Sequence, residues 1–357
     1  MLNLGEMIMT GIEGTSLTQE EKKFIENEKI GGVILFSNNF ESPAQLAELV
    51  NSIQKLRDEY PLFIGVDQEG GRVRRFKEHF TQFPAMNDVA ALKSPKVVFE
   101  LCSIMGQELS TCGINLNFSP VCDVLRDHTT SAIGDRAFGD DPEVVANFIS
   151  AAIRGFKTQK ILTCAKHFPG HGNTSKDSHE KLPILNQDLD ELKSIDLVPF
   201  VKASKARVDL VMMGHLLVDC LDKDLPSSLS PKCYAFLRDQ LKYKRVIISD
   251  DMDMKGVTSH GDVGPTALQA IQAGCDILIY RDFSNAQEAY AALQKASKVK
   301  ELKNTRSEQS LSRIRNLKKE HFESYQAIYI PELKNKIGSR ENIAYQESLL
   351  SKLDSLA

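Results

Sequence analysis

Eight short apolar runs recur along this chain, most of them followed by a helix-like amphipathic segment, and that alternation leaves few folds open. The runs cover residues 6–12, 32–36, 62–67, 114–119, 162–167, 209–214, 246–250 and 276–280. Helical patterns lie between them at 18–28, 43–59, 94–111, 142–158, 189–206, 231–242 and 266–273, and another follows at 286–298. Apolar runs of four to eight residues alternating with helices read as parallel strands in βα units. Eight such units in about 300 residues predict an α/β fold, a closed (β/α)8 TIM-type barrel. An open doubly wound sheet is the competitor, but it would carry a glycine fingerprint after its first strand. Gly11-Ile12-Glu13-Gly14 does not match one.

The polar residues favour the barrel. Asp67, Asp123, Lys166, His167, His215 and Asp250 all fall at or just beyond the ends of the apolar runs. In a barrel those ends converge on one mouth; in an open sheet they spread along an edge. Core packing is a poor explanation for six such residues, because buried ionisable groups need partners.

The organisation expected is a single catalytic domain over residues 1–320 with a C-terminal extension at 321–357. Leu311, Ile314 and Leu317 form one stripe of a last helix near 310–319. Beyond it, Pro331 biases the chain toward an extended shape. Ile343, Leu349, Leu350 and Leu353 suggest a terminal helix that packs on the barrel or on a partner. The extension is too short for a substantial second domain.

Composition excludes several classes of function. Charged residues make up 26% and the net charge is −4, so nothing points to nucleic acid or to an anionic membrane surface. No run is long enough to span a membrane, and the N-terminus lacks the pattern of a signal peptide. The 7 cysteines are scattered and form no CxxC pair, which fits reduced, buried thiols in a reducing compartment. Trp is absent, so any stacking on a sugar falls to Phe or Tyr.

Four stretches carry candidate chemistry. Lys166 to His179, KHFPGHGNTSKDSH, follows an apolar run and is rich in glycine, the layout of a strand delivering a mobile loop. Within it, Asp177 two residues before His179 can hold one imidazole nitrogen while the other works as acid and base; the plain alternative is a capping Asp beside a surface His. Asp250 ends the seventh run and Asp251 follows it; a carboxylate there is a candidate nucleophile or metal ligand, and the pair can be one functional group and one helix cap. In DQEGGRVRRF, Asp67 can accept sugar hydroxyls and Arg75 can brace it, unless the stretch is only a glycine turn with a solvated basic run. IGDRAFG offers Arg136 from a loop. The histidine spacing matches no zinc signature, so neither a metal nor another cofactor is expected.

Taken together, KHFPGHGNTSKDSH, DQEGGRVRRF, IGDRAFGDDP and SDDMDMKG resemble the bacterial β-N-acetylglucosaminidases of glycoside hydrolase family 3. The resemblance runs over roughly residues 5–320 with the motifs in order. It implies a (β/α)8 barrel and a retaining exo-β-N-acetylglucosaminidase that releases terminal N-acetylglucosamine from a small sugar or muropeptide substrate through a covalent glycosyl-Asp intermediate, in the cytoplasm. By motif position it implies Asp250 as nucleophile, His179 as acid/base with Asp177 as its partner, and Asp67, Arg75, Arg136, Lys166 and His167 as sugar-binding residues. The alternatives are a β-glucosidase or N-acetylglucosaminide phosphorylase of the same family, and a non-catalytic sugar-binding barrel. An imidazole in place of a second carboxylate would not repel phosphate, so phosphate is expected to compete with water.

One local expectation is geometric. Neighbours on a regular strand point to opposite faces, so Lys166 and His167 cannot both reach one sugar from it. Irregular backbone, including a non-proline cis bond, is expected there.

Overall fold

The computed structural model describes residues 2–57, 59–126, 132–174 and 182–356. The chain forms the expected closed barrel of eight parallel strands. They are β1 (Ile8–Thr10), β2 (Gly32–Leu35), β3 (Phe63–Val66), β4 (Leu116–Asn117), β5 (Leu162–Phe168), β6 (Leu210–Met213), β7 (Val246–Asp251) and β8 (Ile277–Tyr280). Each strand pairs with its sequence neighbours, and β1 closes the ring against β8 in the register Ile8 to Leu278. The strands are buried along nearly their whole length, as parallel strands covered on both faces must be.

The surrounding helices start where the sequence supplies caps. Helix α1 (Gln19–Asn27) opens on a capping box, with Thr18 and Glu21 satisfying each other's backbone donors. Helices α2 (Pro43–Gln54), α3 (Pro95–Thr111) and α4 (Pro142–Lys157) all carry Pro in the first turn, where a missing N–H costs nothing. Further round lie α5 (Leu197–Lys205), α6 (Pro231–Asp239), α7 (Val263–Ala273) and α8 (Phe283–Lys298). The predicted helix at 189–206 is broken: a π turn over Leu192–Asp196 precedes α5. Pro199 explains it, because its ring crowds the carbonyl four residues back and it has no N–H to give.

The end of the barrel opposite the mouth is tied by buried carboxylates. Asp276, fully buried just before β8, accepts from Arg238, Arg306, Arg313 and Ser310. The last two arginine partners and the serine come from α9 (Asn304–His321) or its start, so this helix is fastened to the barrel floor. Beyond it, α10 (Arg340–Asp354) lies against α3. Asn342 Nδ2 and the Gly338 N–H both donate to Glu108 Oε1, at 2.9 and 2.8 Å. Glu108 also accepts from the Thr81 N–H and hydroxyl, so one carboxylate joins α3, the tail and the segment after Arg75. All seven cysteines are free, and only Cys220 is less than buried.

Candidate active site

At the carboxyl ends of the strands a cavity of about 500 Å³ opens, and Asp67, Arg75, Arg136, Lys166, His167 and Asp250 all line it. The structure therefore brings six of the eight expected site residues together. The other two, Asp177 and His179, lie outside the described residues.

Asp67 follows directly on β3. The chain then folds back through a short antiparallel ribbon, Gln68–Gly70 against Val73–Arg74. Glycine is required at the turn: Gly70 has φ +101°, and a Cβ there would sit 2.7 Å from the Pro84 carbonyl oxygen. Gln68 locks the return, its Oε1 accepting the Arg75 N–H at 2.8 Å. The ribbon thus brings Arg75 onto Asp67, with a guanidinium nitrogen 3.0 Å from Oδ2.

Lys166 enters from β5. Its ammonium reaches Asp67 Oδ1 and Glu69 Oε1, both at 2.7 Å, although the side chain is only 2% exposed. Arg136 completes the network with a bidentate grip on Glu69, both bonds 2.8 Å. Burial works against the charge on Asp67, but Lys166 and Arg75 outweigh it and hold the carboxyl far below its ordinary range. For Glu69 burial is likewise overcome by Arg136 and Lys166, which bring it down to about 2. Burial also opposes the Lys166 charge, and Asp67 with Glu69 more than restores it. Three cations thus surround two carboxylates, leaving this wall one positive charge in excess.

The Lys166–His167 peptide is cis, as the geometric argument expected, and both side chains line the cavity. His167 Nδ1 lies 2.8 Å from Asp123 Oδ2. Asp123, fully buried, also accepts the backbone N–H of His167 and of His171 on Oδ1. The carboxylate can only accept, so it holds a proton on the imidazole Nδ1. His171 is 3% exposed; burial first, and then the neighbouring His167, lower its pKa to about 4.

Asp250 stands near the end of β7 and lines the same cavity, its Oδ1 accepting the Asp251 N–H at 2.8 Å. Burial disfavours its charge, yet His167 and His215 prevail and keep the carboxyl below its ordinary value. His215 is itself fixed: Nε2 donates to the Asp251 carbonyl at 2.9 Å, and Nδ1 lies 2.8 Å from the Ser228 hydroxyl. Asp251 turns to a different task, accepting the N–H groups of Asp253 and Arg281. Burial, and then Asp253, raise its carboxyl to about 7. Adjacent residues on one strand thus carry opposite protonation tendencies. Among the described residues no cluster of three histidine, cysteine or carboxylate side chains is spaced to hold a metal ion.

From the sequence Asp123 and His215 stand at strand ends without a role, and Glu69 and Arg281 are not singled out. For Glu69 a signal existed: it stands two residues past a strand end, and two along a ribbon returns to the same face as Asp67.

The chain matches the family model described as the glycosyl hydrolase family 3 N terminal domain over residues 2–317. A beta-hexosaminidase of Nitrosomonas eutropha is 37% identical over 295 residues, 80% of this chain and 84% of that protein. The structure superimposes on a fungal multi-domain GH3 beta-N-acetylglucosaminidase with a TM-score of 0.94 at 35% identity, covering 97% of this chain and 42% of that longer one. A GH3 beta-N-acetylglucosaminidase from Paenibacillus sp. str. FPU-7 follows at a TM-score of 0.90 and 29% identity, with 98% of this chain and 68% of that one covered.

Proposed function

The chain belongs to glycosyl hydrolase family 3, and from that premise we propose that it is a retaining exo-β-N-acetylglucosaminidase acting on cell-wall muropeptide fragments. One observation carries the reading: a carboxylate held in its charged form, Asp250, shares a cavity with a buried network of hydrogen-bonding charges around Asp67. A pyranose needs both. Its hydroxyls need paired charges that donate and accept, and its anomeric carbon needs a nucleophile.

In the proposed mechanism Asp67, Arg75, Lys166, Arg136 and His167 hold the terminal sugar. Phe36 and Phe118 supply apolar wall in a chain without Trp. Asp250 attacks the anomeric carbon as protonated His179, steadied by Asp177, gives its proton to the leaving oxygen. Neutral His179 then takes a proton from water, which cleaves the glycosyl–Asp250 ester. Retaining enzymes usually do this with two carboxyl groups; here an imidazole takes the second place. The catalytic barrel is read as residues 1–320 and the extension as 321–357. Seven free cysteines support a cytoplasmic site of action.

The test is trapping with a fluorinated N-acetylglucosamine analogue, read by intact mass. The wild type gains one glycosyl adduct and Asp250→Ala gains none; a labelled Asp250→Ala protein refutes the nucleophile assignment. A second reading, phosphorolysis, is favoured by the excess positive charge on the cavity wall. Sugar-1-phosphate at high phosphate concentration identifies it, and free sugar alone excludes it.

A further inference from the structure

We propose that Arg281 is a specificity-determining residue that receives a carboxylate on the aglycone, an inference that rests on the glycosidase reading above. Four arginines line the mouth cavity. Arg72 is paired with Asp135, Arg75 with Asp67, and Arg136 with Glu69. Arg281 differs. Its backbone N–H is fixed on Asp251 Oδ1 just past β8, and its guanidinium lies over the Phe36 ring, 4.9 Å from the centroid. Among the described residues that guanidinium has no carboxylate partner and no hydrogen bond. A guanidinium held over an aromatic face spends none of its N–H donors on a hydrogen bond there, which leaves them for a planar acceptor.

Its position suits an aglycone. Arg281 shares the main cavity with Asp250, where the anomeric carbon would lie, and also lines a second cavity of about 460 Å³ beside it. The acids of that second cavity are mostly committed elsewhere. Asp253 accepts the Asp282 N–H and Asn285 Nδ2, Asp282 caps α8 through the Ser284 N–H, and Glu20 accepts from Gln287. With Glu13 they make the wall negative, which disfavours a dianion and leaves room for a single carboxylate against Arg281, the one cation among the described residues that line it. An aglycone bearing one acid group meets that limit.

The experiment uses two nitrophenyl β-N-acetylglucosaminides that differ only in a ring carboxylate or a ring carboxamide. In the wild type kcat/KM favours the carboxylate, and about 0.5 M KCl removes most of the preference because the contact is exposed. Arg281→Gln lowers the carboxylate-to-carboxamide ratio about fivefold, chiefly through KM. It leaves the carboxamide substrate within about twofold, and Arg281→Lys restores part of the ratio. A ratio unmoved by Arg281→Gln, with the carboxamide still turned over, overturns the role of Arg281 and leaves the glycosidase reading standing. A wild type that cleaves neither substrate overturns both.

Discussion

Glu69 is where the charge network is most exposed to a single change. In Glu69→Gln the shape is kept but one carboxylate oxygen becomes an NH2 group. Both oxygens of Glu69 are engaged: Oε1 with Lys166 and Arg136, Oε2 with Arg136 Nε. Whichever way the amide turns, a donor faces a donor. Lys166 keeps Asp67, but Arg136 loses its carboxylate partner while its side chain stays only 15% exposed. Removing one member of a buried pair costs about 3–5 kcal/mol. For a chain of this size that lowers the thermal midpoint by about 4–7 °C.

The same residue predicts a pH signature. Glu69 ionises near 4.5 when unfolded and at about 2 when folded. Between those values the unfolded chain binds more protons, so stability rises with pH across this window. The contribution is complete above about 4.5 and is lost as pH falls toward 2; about 1.4 kcal/mol per pH decade makes it about 3 kcal/mol in all. Glu69→Gln has no such group. The stability gap between wild type and variant should therefore be widest near neutrality and narrow steadily below pH 4.5. Thermal unfolding followed by circular dichroism from pH 7 to 3 measures it. A gap under about 1 kcal/mol at pH 7, or one that does not shrink with acid, refutes the argument that Glu69 is a charged keystone.

Two further predictions concern its neighbours. Lys166→Met keeps bulk but removes the cation shared by Asp67 and Glu69; kcat/KM on a β-N-acetylglucosaminide should fall about a hundredfold or more, and a loss under threefold would separate this network from catalysis. Glu108→Gln weakens the joint between α3 and the tail, where at least one of its four donors must lose its acceptor. It should cost about 1–3 kcal/mol and speed amide exchange at Gly338 and Asn342; unchanged exchange there would show that the tail is held by apolar packing alone.

The barrel was legible because parallel buried strands are written locally, as short apolar runs between amphipathic helices. What failed were boundaries set by distant partners. The fourth strand was expected over 114–119 but pairs only at Leu116–Asn117. Asn115 explains part of this: its amide side chain bonds the Ile64 N–H and the Leu62 carbonyl, doing by side chain what a ladder does by backbone. The first strand was expected from residue 6, but Leu4–Met7 winds as a 3-10 turn. Glu6 there meets Arg315, a contact across 309 positions that no local pattern encodes.

The site divides along the same line. Asp67, Lys166, His167 and Asp250 could be read because each ends an apolar run, and a barrel sends every such end to one mouth. Their partners could not be read that way. Asp123 matters because it fixes the proton of His167, a residue 44 positions on, and Glu69 because it joins Arg136 to Lys166. Those roles depend on which ends become neighbours once the ring closes through β8 and β1. Arg281 is the limiting case. Its backbone is anchored by a bond to Asp251, and its side chain is distinguished by the ion pair it lacks among the described residues, while three similar arginines nearby have theirs. A missing partner leaves no trace in a sequence; it becomes visible only once the other arginines at the mouth are seen to have theirs.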